Sequence, residues 1–323
     1  MSSFILSLLS PAVLSLDFWI SVVLLVGIAG IFSLGIQLNA GSSGLLNVGH
    51  VGFMAIGAYT MAILVVDLGV NLWLAILAGI AVAVLTSLLI GLPSLRLRHD
   101  YFAIATIAFA EVVRLFAQNA RGLTGGNQGK SGYDGAWRAI AEPMSAFFVD
   151  LGWTDSHLLP LAIVTWVIYL LTLAGVSYAV RTPWGRVLRA VREDEDAASA
   201  LGKNVLSYKL QSLAIAAALA AVAGVIFALD IRFLVPEEFL PDFTFLAYAA
   251  VILGGLGSYA GVFVGTITIW VLLEVTRFLD LPISSDRIAA IRFILIGLVL
   301  IFLSMRKPEG LLGERREMVL RHD

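Results

Sequence analysis

The 323-residue sequence contains no cysteine. That excludes a disulfide framework, a thiolate-bound zinc and a thiol nucleophile. Charge is scarce too: Asp, Glu, Lys and Arg make up 14% of the chain, against roughly 25% in soluble domains. The formal net charge is −2, so no basic face is available to displace counterions and no nucleic-acid partner is expected. Histidine is limited to four residues, none at metal-ligand spacing, so neither a metal nor another cofactor is expected. A phosphate-cradling loop is lacking as well. Gly129-Lys130-Ser131 ends like one, but the required glycine five positions before Gly129 is replaced by Thr124, and Gly125 is one residue too close. Gly41-Ser42-Ser43-Gly44 has no second catalytic group at a suitable spacing, and the chain does not read as an enzyme.

Apolar residues are abundant: they make up 59% of the chain, with a mean hydropathy of +0.94. A soluble core of this size could not hide so much apolar surface and still leave a polar exterior. Crossing about 30 Å of hydrocarbon takes about 20 apolar residues. Such runs lie near 18–39, 45–66, 72–92, 100–119, 158–180, 207–229, 243–256, 259–279 and 287–305. The expected fold is an all-α integral membrane protein. Residues 1–323 form one domain, a polytopic bundle of about nine transmembrane helices, with eight to ten compatible. The run at 243–256 is short and ends in turn-prone Gly254-Gly255-Leu256-Gly257-Ser258, so it reads as a half-span joined to the next segment. Phe4–Leu16 is short and has no basic flank, which makes it a poor cleavable signal peptide.

Lys and Arg set orientation. They cluster at Arg96 and Arg98, at Arg181, Arg186, Arg189, Arg192, Lys203 and Lys209, and at Arg306, Lys307, Arg315, Arg316 and Arg321. With the spans as drawn, all three clusters fall on the cytoplasmic side. The C-terminus is then cytoplasmic and 120–157 is an extracytoplasmic loop, out of reach of a cytoplasmic nucleotide. That loop joins a Gly-rich start to an aromatic section with Trp137, Phe147, Phe148 and Trp153, and reads as a folded cap or an interfacial segment.

The cytoplasmic loop, 181–206, starts a helix at Thr182-Pro183. An unbroken helix to Gly202 would place arginines first and acids last, against its dipole. A break near Glu193 removes the conflict: Asp194 then caps a second short helix, with Glu195 and Asp196 in its first turn and Gly202 just past its end. Ala197, Ala198, Ala200 and Leu201 form a small apolar face ringed by charge. Two readings stand: a docking knob for a soluble partner, or a solvated positive loop with none.

Asp196-Ala197-Ala198-x-x-x-Gly202 resembles the Glu-Ala-Ala-x-x-x-Gly loop by which ABC importer permeases touch their ATPase subunits. The resemblance extends through GLLNVGHVGFMAIGAYTM at 44–61, YFAIATIAFAEVVRLF at 101–116, LTGG at 123–126, GRVLRAVREDEDAASALGKN at 185–204, GGLGS at 254–258 and KPEGLLG at 307–313. Together these blocks are similar to the branched-chain amino-acid ABC permease family, in particular its second, LivM-type, subunit. The resemblance implies a bacterial inner-membrane importer subunit for branched-chain or related small amino acids. It also implies a second permease subunit, two ATP-binding subunits that supply the energy, an extracytoplasmic substrate-binding protein and a surrounding lipid bilayer. The coupling residues would be Arg186, Arg189, Arg192, Glu193, Asp194, Glu195, Asp196, Ala197, Ala198 and Gly202.

Polar groups inside spans are costly and so informative. Glu111 and Arg114 lie three apart on one face, as do Glu274 and Arg277, while Arg292 enters the last span. In the glycine-rich 44–59 stretch, Asn47, Gly49 and His50 read either as tight helix packing, with Asn47 capping an end, or as an interrupted helix exposing polar groups to substrate. The candidate translocation path is Asn47, Gly49, His50 and Glu111, with Gly125, Gly126, Gly257 and Ser258 from the resembling blocks. Two alternatives remain at this point: a permease for urea or short amides, and a stand-alone ion-coupled transporter. Glu111, held ionised by Arg114, argues against the latter.

Overall fold

The computed structural model describes residues 15–97, 99–152, 156–277, 285–307 and 309–313. The reading of Phe4–Leu16 falls almost wholly outside them, as do Arg98, Trp153 and the side chains of Arg277 and Arg292. A helix lies over each of the nine apolar stretches: α1 Leu16–Ile36, α2 His50–Val66, α3 Leu72–Ser94, α4 His99–Asn119, α7 Leu159–Arg181, α10 Val205–Ile231, α11 Asp242–Gly254, α12 Tyr259–Arg277 and α13 Ser285–Arg306. Shorter elements join them: α5 Arg121–Thr124, α6 Gly135–Asp150, α8 Pro183–Glu193, α9 Glu195–Ala200, and strands β1 Lys130–Ser131 and β2 Phe233–Leu234. Among the described residues, five segments are long and apolar enough to cross a membrane: Leu16–Ser42, α3, α7, α10 and Tyr259–Thr276. α2 is apolar but shorter.

Local chemistry starts and stops these helices. Ser15 Oγ accepts from the Phe18 N–H (3.2 Å), Asn71 Oδ1 from Trp73 (2.9 Å) and Asn204 Oδ1 from Ser207 (3.1 Å). α7 stops at Arg181, ahead of Thr182-Pro183. α1 loosens into a π-turn at Gln37–Ser42. The chain is then non-helical until His50, although the apolar pattern has a span beginning at 45. Gly44, at φ +72°, turns the backbone there.

α1 and α10 are the central pair. In each, 78% of the most apolar window is buried, against 28% in α3 and 33% in α7. α10 packs on α1, α2 and α3, while α7, α11 and α12 surround α1 and α4 lies along α2. Small residues permit these approaches. A Cβ on Gly224 would meet the Met54 carbonyl, and one on Gly57 would lie 2.6 Å from Ala221 Cα. The α11–α12 hairpin closes through Gly254 against Gly261 and Gly265 against Ala250.

The bundle has two distinct ends. At one, residues 120–152 fold into a cap. β1 pairs antiparallel with β2, and the Tyr133 hydroxyl, fully buried, donates to the Ala228 carbonyl (2.9 Å). Burial, then the charge of Asp134, pushes that hydroxyl well above the ordinary tyrosine range and keeps it a donor. Lys130 Nζ donates to both Asp67 carboxylate oxygens and to the Leu123 carbonyl, all at 2.8 Å. The lysine of Gly129-Lys130-Ser131 is thus a strut between the cap and the end of α2. At the other end lie Arg96, the 181–209 segment and residues 309–313. There the backbone N–H groups of Leu311 and Leu312 donate to the carbonyls of Leu253 and Gly254.

The chain between α10 and α12 does not cross in one helix. After β2 it runs through a 3₁₀ turn, Pro236–Phe239, which packs on α2 and α4. α11 then has only 13 residues, about 20 Å. Phe239 stacks near Tyr59 (5.8 Å), and Phe243 lies against Phe32 (4.9 Å). Phe32 also sits 4.5 Å from His50, so α11 begins deep inside the bundle. The short 243–256 run is a half-helix, preceded by a stretch of chain that re-enters from the cap end.

Candidate functional site

The loop at the basic end breaks at Asp194 (φ −156°, ψ 108°), between α8 and α9. Asp194 Oδ1 accepts from the Ala197 N–H (2.9 Å), and Gly202, at φ +75°, follows the end of α9. The reason is electrostatic: the bend puts the carboxylates of Glu195 and Asp196 in a first turn instead of at a helix C-terminus. The apolar face differs from expectation at one residue. Ala198 is turned inward and 3% exposed, because α9 packs on α8 and α10 and this is the side it packs with. The outward surface therefore consists of Ala197, Ala200 and Leu201, the last 80% exposed.

Side chains bind this loop to the central helices. Lys209, buried on α10, is ion-paired with Glu195. Arg192 Nη1 donates to the Gly41 carbonyl in the π-turn of α1 (2.5 Å), and Arg189 Nη1 to the Val180 carbonyl (3.2 Å). Arg186, Glu193 and Asp196 face outward. A cavity of about 400 Å³ between Leu46, Arg96, Phe102, Glu195, Asp196 and Lys209 lies beside α9. A second, about 620 Å³, lies between Ser177, Arg181, Arg189, Gly257 and Ser258.

Asn47, Gly49 and His50 come together where α2 begins, fully enclosed by their own chain. Asn47 does not cap α2, since Gly49 occupies that position with no side-chain bond. Instead Asn47 Nδ2 faces His50 Nδ1 at 3.4 Å, Thr106 Oγ1 accepts from the Val48 N–H (3.1 Å), and Thr244 Oγ1 accepts from Val51 (3.2 Å). A Cβ on Gly49 would collide with the Thr106 carbonyl. The stretch thus combines close packing at Gly49, Gly52 and Gly57 with a helix interrupted before His50, where Asn47 Oδ1 is buried without a hydrogen-bond partner among the described residues.

The other candidates lie elsewhere. Gly125 (φ +81°) and Gly126 (φ +58°) form the tight turn that starts the cap. Gly257 and Ser258 precede α12 at the basic end. The buried Gln37 amide, turned with its oxygen towards them, accepts from their N–H groups at 2.6 and 2.9 Å. Glu111 is held by Arg114 through two bonds, Nε–Oε2 at 2.9 Å and Nη2–Oε1 at 2.5 Å. Its side chain remains 40% exposed on the outer face of α4. Beside it the re-entrant chain carries three exposed carboxylates, Glu237, Glu238 and Asp242, that pattern reading passes over. Their signal in the sequence is Pro236 and Pro241 enclosing Glu237 and Glu238, with Asp242 next, just before an apolar run too short to span.

Over residues 18–304 the sequence matches a known family: the permease component of branched-chain amino acid transport systems. The chain belongs to this family. The permease is 34% identical to the high-affinity branched-chain amino acid transport system permease protein LivM of Salmonella typhimurium, over 88% of its own length and 68% of that protein's. It is 27% identical to LivH of Escherichia coli, covering 88% and 90% of the two chains. It is also 25% identical to the guanosine ABC transporter permease protein NupQ of Bacillus subtilis, covering 77% and 76%. The stronger identity places the permease with the LivM type. No solved structure matches it significantly. As a permease component with membrane-length apolar helices, it is a multi-pass membrane transport protein, not an enzyme.

Proposed function

We propose that this permease forms one half of the translocation path of an ABC importer for branched-chain amino acids in a bacterial inner membrane. A second permease subunit supplies the other half, two ATP-binding subunits the energy, and an extracytoplasmic binding protein the substrate. The chain crosses the bilayer with its nine helical segments, α11 as a half-span, and keeps the basic end in the cytoplasm, where Lys and Arg concentrate. The cap at 120–152 then faces outward as the docking or entry surface. The observation that carries this reading is the α8–α9 loop. An exposed apolar knob, Ala197, Ala200 and Leu201, sits on a capped helix that is ion-paired to α10 and packed on α8, which in turn is bonded to the π-turn of α1. A merely solvated loop needs no such attachment.

The test is reconstitution in proteoliposomes with the second permease, the ATPase subunits and the binding protein, using a panel of Leu, Ile, Val, urea and short amides. ATP-dependent uptake of the aliphatic amino acids is expected. Uptake driven by an ion gradient through this chain alone would overturn the reading.

A further inference from the structure

The re-entrant stretch poses a physical problem that the single chain does not solve. α11 ends at Gly254, beside the basic end, and its length sets Asp242 about 20 Å inside that end. Tyr59, which packs on Phe239, lies seven residues or about 10 Å from the opposite end of α2. The two measures together span about 30 Å, the thickness of the hydrocarbon layer. Glu237, Glu238 and Asp242 therefore lie at bilayer depth, on irregular backbone and a helix start, exposed on the side of the bundle. Glu237 is within electrostatic reach of Arg114, which joins this stretch to the Glu111–Arg114 pair on α4, whose Glu111 side chain is 40% and Arg114 side chain 15% exposed. Non-helical backbone at this depth is tolerated only against protein or beside a water-filled cavity, and exposed carboxylates there cannot face lipid tails. The backbone is covered on one side by α2 and α4, and the exposed carboxylates mark its other side as covered too.

We infer that this face, formed by Glu111, Arg114, Glu237, Glu238 and Asp242, is the seam against which a second permease chain of the same fold packs, with a water-filled path between the two along these charges. The inference rests on the proposed function, which requires such a second chain. It adds where that chain sits and which side chains the path wets. Exposed Leu240 and Phe245, which alternate with the acids, supply apolar contacts at the rim of the seam.

A chain without cysteine permits a direct test. In membrane vesicles carrying the complete transporter, Glu238→Cys and Asp242→Cys are treated with methanethiosulfonate ethylammonium, a small charged thiol reagent. Leu85→Cys and Leu171→Cys, on the exposed apolar sides of α3 and α7, serve as comparison. The two seam positions should react at least ten times faster. A short bis-methanethiosulfonate should also link Glu238→Cys to single cysteines on the second permease chain, but not Leu85→Cys. Leu240→Cys and Phe245→Cys replace the acidic positions in the linking experiment if those variants fail to accumulate. Seam positions as unreactive as Leu85→Cys overturn the inference, and so does a failure to link to the second permease. Uptake by the unmodified complex is measured in parallel, so that loss of the importer reading is told apart from a misplaced seam.

Discussion

Replacing Leu201 by aspartate tests the coupling knob where it is most exposed. Leu201 keeps 80% of its surface in the isolated chain. Burying a whole leucine side chain contributes about 1.5–3 kcal/mol, so covering that share in a cleft on an ATPase subunit contributes about 1.2–2.4 kcal/mol. At 1.4 kcal/mol per decade this is about 7- to 50-fold in docking affinity, and desolvating the new carboxylate adds to the loss. Folding should be spared, because a residue this exposed supports little of the core. The assay measures three quantities in one preparation: membrane abundance, substrate-stimulated ATP hydrolysis and uptake. The last two should fall together at unchanged abundance, with partial recovery when ATPase subunits are supplied in excess. Ala198→Trp provides the contrast. At 3% exposure, the larger side chain overfills the α9–α10 contact, at a cost of about 1–3 kcal/mol to the fold, so abundance should fall first. Normal uptake and ATP hydrolysis in Leu201→Asp would refute the docking role of α9.

Other outcomes follow from other contacts. Glu195→Gln strands the Lys209 ammonium, 8% exposed, and should cost towards the roughly 3 kcal/mol of a broken buried pair; Lys209→Met leaves Glu195, 34% exposed, able to turn to water, for about 1 kcal/mol. Equal losses of thermal stability in the two variants would contradict that asymmetry. Gly224→Ala drives a methyl into the Met54 carbonyl and should cost about 1–3 kcal/mol. Gly175→Ala meets nothing within 4 Å and should be neutral or stabilising, by about 0.5–1 kcal/mol. The thermal midpoints of the two purified variants decide. Ser131→Cys, exposed on β1, should react with a membrane-impermeant maleimide in intact cells; reaction only after the membrane is opened would reverse the orientation.

Much of the architecture was legible because hydrocarbon imposes its own length scale on a sequence. Apolar runs of the right size marked where helices lie, and the helix dipole placed a break near Glu193 with Asp194 as the next cap, one residue from where the chain bends. The inward turn of Ala198 was not legible, since a run of small apolar residues looks alike on either side of a two-turn helix. Only the packing of α9 on α10 chooses the side. The 44–49 segment reads as part of a span by hydropathy, yet Gly44 and the bonds from Val48 and Val51 to Thr106 and Thr244 hold it open. Those partners lie 58 and 193 residues away in sequence, beyond the reach of any local pattern. Glu237, Glu238 and Asp242 were missed for a related reason. An acidic, Pro-flanked stretch between apolar runs looks like an external turn until Phe239 is seen buried beside Tyr59 and Phe243 packed against Phe32.

The attachments of Arg192 to the Gly41 carbonyl and of Glu195 to Lys209 make the α8–α9 loop a yoke. One arm grips the π-turn at the foot of α1, the other the first turns of α10, and these are the most buried of the membrane-length helices among the described residues. A force applied to α9 is therefore shared between both at once and is not absorbed by a loose connection. The π-turn, already off the α-helical ladder, is where α1 can yield to that force. α10 in turn packs through Gly224 and Ala221 on Met54 and Gly57 of α2, one to two turns beyond His50.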